Sequence, residues 1–170
     1  MIIWLIGMSG SGKSTIGRAL YDQIKAQHAN TVYLDGDEFR EVFANDVDHT
    51  IAGRQRNAER ISRLCQVLDR QGIHVVAAVL SIFPKWQNWN RKEFDTYFEI
   101  FLDIPLETLR ERDVKGLYAK ADAGEMKDVV GYDIPFPTPA SPDFILDPRN
   151  QDEGVSACVQ KIIEKLPNLK

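Results

Sequence analysis

Short apolar runs alternate with stretches of helical period from one end of the chain to the other. Ile2–Ile6 is an unbroken apolar run that reads as a strand, Gly7–Gly12 is a loop, and Lys13 to about Gln27 has helical spacing. Thr31–Leu34 predicts a second strand, ended by Asp35-Gly36-Asp37. From about Gly53 to Gln71, Ile61, Leu64, Cys65 and Leu68 recur at i, i+3, i+4 and i+7, the stripe of an amphipathic helix. Ile73–Leu80 is apolar enough, His74 apart, for a strand covered on both faces. Phe98–Leu102 predicts another strand, and Pro105 a helix start where its missing N–H costs nothing. Phe144–Leu146 is a short strand, and Val155, Val159, Ile162, Ile163 and Leu166 stripe a last helix. Strand and helix alternating about five times predict an α/β fold, a parallel sheet between two helical layers.

Two stretches leave this pattern. Lys115–Gly131 is polar and punctuated by glycine, and Tyr132–Pro142 holds four of the eight prolines, which fits an ordered wrapping loop. Neither is a linker, and no repeat or second domain is visible. Residues 1–170 are expected to form one domain.

Composition narrows the function. With 44% hydrophobic and 27% charged residues the chain is neither disordered nor fibrous. A net charge of −4 argues against a nucleic-acid polymer as partner, which needs a basic face. The longest apolar run, Val75–Leu80, is far too short to span a bilayer. Met1–Ile6 lacks the basic segment of a signal peptide. Cys65 and Cys158 have no companions at metal-ligand spacing and read as two thiols in a reducing compartment. A cytoplasmic location is expected.

The chemistry begins at Gly7-Met8-Ser9-Gly10-Ser11-Gly12-Lys13-Ser14, which fits G-x-x-x-x-G-K-[ST] between a strand and a helix. In that context backbone N–H groups and the helix N-terminus cradle phosphates, Lys13 reaches the β/γ-phosphates, and Ser14 takes Mg²⁺. A chance match in a glycine-rich turn is the alternative. No Asn-Lys-x-Asp guanine reader occurs, so ATP is the expected nucleotide.

Asp35-Gly36-Asp37 falls at a strand's carboxyl end, where open α/β sheets bind ligands. Two carboxylates there suit a metal-water ligand or a base for a hydroxyl proton. Asp37 could instead cap the following helix, an explanation that fits Asp35 less well. On the long helix Arg54 and Asn57 extend the apolar stripe, while Arg56, Arg60 and Arg63 lie opposite and read as a solvated face. An inward arginine at a helix N-terminus implies an anion, so Arg54 and Asn57 are expected to clamp a substrate phosphate. Arg40 could join them or sit on a surface helix. Arg112, Lys115, Lys120 and Lys127 surround the glycine-punctuated stretch, which fits either a lid over phosphates, about 113–131, or a solvated loop.

The ordered set Gly7–Thr15, Leu34-Asp35-Gly36-Asp37, Arg54-x-x-Asn57, Ser81 and Arg112-Asp113-x-Lys115-Gly116-Leu117-Tyr118, with Lys120, Gly124, Glu125 and Lys127, resembles the adenylyl-sulfate kinases over roughly residues 2–147. The resemblance implies a three-layer P-loop kinase domain with a mobile lid, in the cytoplasmic reactions of sulfate assimilation. ATP would phosphorylate the 3′-hydroxyl of adenosine 5′-phosphosulfate. Gly7, Ser9, Gly10, Ser11, Gly12, Lys13, Ser14 and Thr15 would bind the ATP phosphates, with Ser14 and Asp35 at Mg²⁺ and Arg112 on the ATP adenine. Lys13, Asp35 and Asp37 would be catalytic. Asp35, Arg40, Arg54, Asn57, Leu80, Ser81, Lys115 and Lys127 would meet the acceptor. Ser81 matches a family serine proposed to be phosphorylated in some members, but carries no catalytic assignment here.

Two departures concern the acceptor. Val79-Leu80-Ser81-Ile82-Phe83-Pro84 stands where the family has Phe-Ile-Ser-Pro-Tyr-Arg. His49 and Val129 align with the two phenylalanines that sandwich the acceptor adenine, and losing two stacking faces of ~1–3 kcal/mol each is enough to change the base accepted. Trp86 and Trp89 are either a new wall or ordinary packing. Some relatives resemble cytidine diphosphoramidate kinase from capsule pathways. The expected function is therefore an ATP- and Mg²⁺-dependent kinase of a ribose 3′-hydroxyl on a small activated nucleotide, adenylyl sulfate first and a cytidine nucleotide second. A catalytically silent nucleotide-binding module is the alternative from another class, and a homodimer is compatible with the resemblance.

Overall fold

A computed structural model describes residues 1–147 and 154–168. In chain order the elements are β1 (Ile2–Ile6), α1 (Lys13–Lys25), β2 (Thr31–Asp35), α2 (Gly36–Val42), α3 (Ile51–Asp69) and β3 (His74–Val79). They continue as α4 (Pro84–Glu93), β4 (Tyr97–Leu102), α5 (Leu106–Arg112), α6 (Leu117–Asp122), β5 (Phe144–Leu146) and α7 (Gly154–Lys165). The five strands pair in the order β2-β3-β1-β4-β5, and every pairing is parallel. Ile3 lies opposite Val76 on one side and Phe98 on the other. The expected three-layer parallel architecture is the one found.

Alternation along β1 sorts the two cores. Ile3 and Leu5 face Ile16, Leu20 and Ile24 of α1 and Val159 and Ile162 of α7. Ile2, Trp4 and Ile6 face Phe39 of α2, Ile61 and Cys65 of α3, and Phe94. Cys65 is buried and Cys158 partly exposed, and they are not joined to each other. Among the described residues no helix is long and apolar enough to cross a membrane.

Element boundaries shift from the expectation for identifiable reasons. The long helix starts at Ile51 rather than Gly53, because Thr50 caps it by accepting from the Gly53 N–H. Pro105 is the cap of α5 rather than its first residue. Helix α4 has no apolar period to betray it. Pro84 opens it, and it is held by an aromatic chain in which Trp86 meets Trp89 edge-on, Trp89 meets Phe94, and Phe94 meets Tyr97. The polar stretch 115–131 also contains a helix, α6, whose Tyr118 and Ala119 N–H groups donate to the Asp113 carboxylate. The proline-rich segment is ordered as expected, with Phe136 stacked 6.0 Å from Phe101.

Leu20 is wholly buried between α1 and the sheet. Leu20→Ala is expected to cost about 2–5 kcal/mol, because the rigid sheet behind it cannot collapse into the cavity. Urea unfolding measures this, and a loss below about 1 kcal/mol would contradict the packing described.

Candidate active site

The carboxyl ends of β1, β2 and β3 open into a cleft of about 590 Å³. Its floor is the loop after β1. Gly10 and Gly12 have φ of +79° and +87°, a backbone open to glycine and strained for other residues. Gly12 is the left-handed cap of α1, so the loop turns directly into the helix N-terminus. Lys13 folds back over the loop, its Nζ donating to the Met8 carbonyl at 3.2 Å.

Ser14 on α1 meets Asp35 at the end of β2: Ser14 Oγ donates to Asp35 Oδ2 at 2.6 Å. Tyr33 Oη donates towards the same Oδ2 at 3.2 Å. Burial, followed by the neighbouring Asp35 carboxylate, raises Tyr33 well above an ordinary phenol, so it stays a donor. The other Asp35 oxygen, Oδ1, accepts the Asp37 N–H at 2.9 Å and thereby caps α2. This reverses the expectation that Asp37 was the candidate cap: the extended backbone at Asp35 puts its side chain, not that of Asp37, over the helix start.

Asp37 is left to face the cleft, where the Lys115 Nζ donates to its Oδ2 at 2.7 Å. Burial alone would raise the Asp37 carboxyl, but the hydrogen bond and charge of Lys115, with Lys13 and His49 behind it, hold it below the usual carboxylate value. Burial lowers Lys13 to about 8, against the opposing pull of Asp37 and Asp35. His49 is lowered by burial and by the Arg40 and Arg54 charges, which favours neutral imidazole.

Arg40 and Arg54 both line the cleft, and both are held by backbone carbonyls. Arg40 is buried rather than on a surface, and its Nη1 donates to Val47 O and Asp48 O. Arg54 Nε donates to His49 O at 2.6 Å, and its Nη2 reaches across to Asp128 O at 2.7 Å. Asn57 is buried beside them, donating to Gly36 O at 3.3 Å. Its Oδ1 has no hydrogen-bond partner among the described residues. Of the arginines placed on the solvated side, Arg60 forms a two-point pair with Asp46 at 2.7 Å, and Arg56 is exposed.

The cleft also gathers Ser9, Thr15, Leu80, Ser81, Lys127, His49 and Val129. Gly7, Ser11 and Arg112 do not line it. Ser11 lies behind the loop, 1% exposed, and Arg112 closes the last turn of α5. Ser81 has φ of +52°, and its Oγ accepts from Trp4 Nε1 at 3.2 Å while its carbonyl accepts from Gln87 at 2.7 Å. Its hydroxyl is thus part of a turn held between β1 and α4. Trp86 reaches the cleft and Trp89 does not. Tyr33, Asp128 and Glu41 were missed by the sequence reading, and none belongs to a motif that would have marked it.

The donor set fits a magnesium ion. Among the described residues no group of three or more His, Cys, Asp or Glu side chains could hold a metal. Mg²⁺ needs no such cage, since it keeps waters and phosphate oxygens and takes only one or two protein oxygens. Ser14 and Asp35 supply hard oxygens of that kind beside the phosphate loop.

The adenylylsulphate kinase family model matches residues 1–147. The cytidine diphosphoramidate kinase of Campylobacter jejuni is 38% identical over 164 residues, covering 95% of each chain. The adenylyl-sulfate kinase of Marinobacter nauticus is 37% identical over 167 residues, covering 97% of this chain and 83% of that protein. Among solved structures, the APS kinase of Mycobacterium tuberculosis in complex with AMPPNP and APS superposes with a TM-score of 0.84 at 33% identity, over 96% of this chain and 95% of that one.

Because burial lowers Lys13 to about 8 from 10.5, the unfolded chain holds more protons between those values, and the ammonium's penalty is fully present below about pH 8. Without nucleotide, Lys13→Met is therefore expected to raise the thermal midpoint at pH 7, with the gain closing as pH rises from 8 to 10.5. A gain independent of pH would contradict the assigned burial.

Proposed function

The chain belongs to the adenylylsulphate kinase family, and from that membership we propose that it transfers the γ-phosphate of ATP to the ribose 3′-hydroxyl of a small activated nucleotide, adenylyl sulfate being the expected acceptor. That it is a nucleotide kinase follows from the family. The observation that carries the finer reading is one cleft holding the phosphate loop, both carboxylates of Asp35-Gly36-Asp37, and the Arg40, Arg54, Asn57, Lys115 and Lys127 side chains.

Each group has a role its surroundings permit. Loop N–H groups and the α1 N-terminus hold the phosphates of ATP, and Lys13 neutralises charge on the transferred group. Ser14 and Asp35 would hold Mg²⁺, which when bound neutralises charge on the β- and γ-phosphate oxygens. Asp37 is an ionised carboxylate that faces the cleft, placed to accept the hydroxyl proton. Its partner Lys115 belongs to the lid, residues 113–131, so lid closure brings a cation to the reacting phosphates. Arg40 and Arg54 hydrogen-bond uncharged carbonyls, so no carboxylate hydrogen bond competes with an anionic acceptor for their charge. Residues 1–170 would act as one kinase domain in this reading.

A second acceptor is favoured by a specific observation. His49 and Val129, which the sequence resemblance implies stand where the family has its stacking phenylalanines, both line the cleft, and the Campylobacter jejuni relative acts, by its name, on cytidine diphosphoramidate. A cytidine-linked acceptor is therefore the second reading.

ADP release measured with adenylyl sulfate and with cytidine- and uridine-linked acceptors at equal concentration decides between them. Adenylyl sulfate is expected to give the highest kcat/KM, a cytidine acceptor ahead of it would install the second reading, and no acceptor-dependent release would remove both. If the two positions flank the base, His49→Phe/Val129→Phe should lower the adenylyl-sulfate KM about tenfold or more by restoring two stacking faces. An unchanged KM would show that these positions do not face the base.

A further inference from the structure

Tyr33 lies on β2 with its ring against α1. A Cβ built at Gly17 of α1 would stand 3.2 Å from Tyr33 Cε2, so the glycine is what lets the ring approach the helix this closely. The Arg18 guanidinium covers the ring at 4.1 Å from its centroid and is itself paired with Glu38 at 2.9 Å. The phenol is thereby set beside the first turn of α1, 3.2 Å from Asp35 Oδ2 and 3.3 Å from the Ser14 carbonyl.

The consequence falls on Ser14 and Asp35. A serine hydroxyl that offers a lone pair to a cation must direct its proton to an acceptor, and here the acceptor is Asp35 Oδ2 at 2.6 Å. The carboxylate can keep that place only if both of its oxygens are fixed. Oδ1 is fixed by the Asp37 N–H. Among the described residues Oδ2 has one side-chain donor besides Ser14, and that donor is Tyr33.

We infer that Tyr33 is a positioning residue for the divalent-cation site, holding Asp35 so that the Ser14 hydroxyl keeps its lone pairs for the ion. It does not line the cleft and acts through Asp35. The inference rests on the reading of this cleft as a Mg²⁺–nucleotide site. Phenylalanine would preserve the ring, the Gly17 approach and the Arg18 stacking, and remove only the hydroxyl.

The test is ADP binding to the full chain by calorimetry, across a Mg²⁺ series and in EDTA, with no acceptor present. Tyr33→Phe is expected to raise the Mg²⁺ concentration that half-maximally tightens ADP by about fivefold, the size of one ordinary net hydrogen bond, and to leave affinity in EDTA unchanged. Tyr33→Leu should show the same Mg²⁺ shift, so a folding defect peculiar to one variant does not decide the matter. In an Asp35→Asn background the Tyr33→Phe effect should fall below about twofold, because the route through Asp35 is gone. A Mg²⁺ shift below about twofold in the otherwise native chain, or an equal loss of affinity in EDTA, would overturn the inference and leave the kinase reading standing. Absence of Mg²⁺-dependent ADP binding by the unsubstituted chain would remove the phosphate-loop reading and this inference together.

Discussion

Strand β1 has no free surface. Its edges are taken by β3 and β4, its faces by two helical cores, and four of its five residues are 0% exposed. A strand so enclosed must be parallel to both neighbours once helices link them, and the chain leaving it has one exit, at the middle of the sheet's carboxyl edge. Successive connections depart to opposite sides there, which leaves a crevice above the strand ends. The phosphate loop and Asp35-Gly36-Asp37 therefore meet in one cleft although β3 lies between their strands. Burial of five apolar residues thus fixes where the polar chemistry can be.

The charges in that cleft are balanced in two different ways. Lys115 is paired with the Asp37 carboxylate, across the cleft from the phosphate loop. Arg40 and Arg54 are matched to carbonyls of the 47–49 segment and of residue 128. A carbonyl fixes a guanidinium without cancelling its charge, so both retain attraction for an anion. Arg60 and Arg110, outside the cleft, are instead paired with the Asp46 and Asp122 carboxylates. Burial makes these cations unfavourable when alone, as the lowering of Lys13 to about 8 shows, and an incoming anion relieves that penalty.

What was legible in the sequence follows the same physics. Strands β1 and β3 stood out because burial on both faces requires uninterrupted apolar residues, and the phosphate loop because its backbone requires glycine at fixed places. Helix α3 was legible from its apolar stripe, and that stripe correctly turned Arg54 and Asn57 towards the cleft. Helices α4 and α6 were not, since their positions depend on aromatic packing and on capping by Asp113, neither of which has a period. The helix cap fell to Asp35 rather than Asp37 because capping depends on a backbone conformation that sequence does not display. Tyr33 escaped notice for a related reason: on a strand of part-buried residues a tyrosine reads as packing, and only the turn of α1 beside it gives its hydroxyl a task.

Arg54 makes the last connection between these layers. One of its nitrogens holds the carbonyl of His49 and another the carbonyl of Asp128, which immediately precedes Val129. Positions 49 and 129 are thus spaced by a single guanidinium, through backbone atoms that no side-chain change at 49 or 129 removes. On the proposed reading, the same arginine faces the acceptor's anionic group, so the distance from that group to the base is set independently of which side chains flank the base. In that reading phosphate chemistry falls to β1, α1 and β2, and the flanking side chains to the segment before α3 and to residues 113–131. A change of base can then proceed by substitution at the walls alone, with the loop, the two carboxylates and Arg54 left in place.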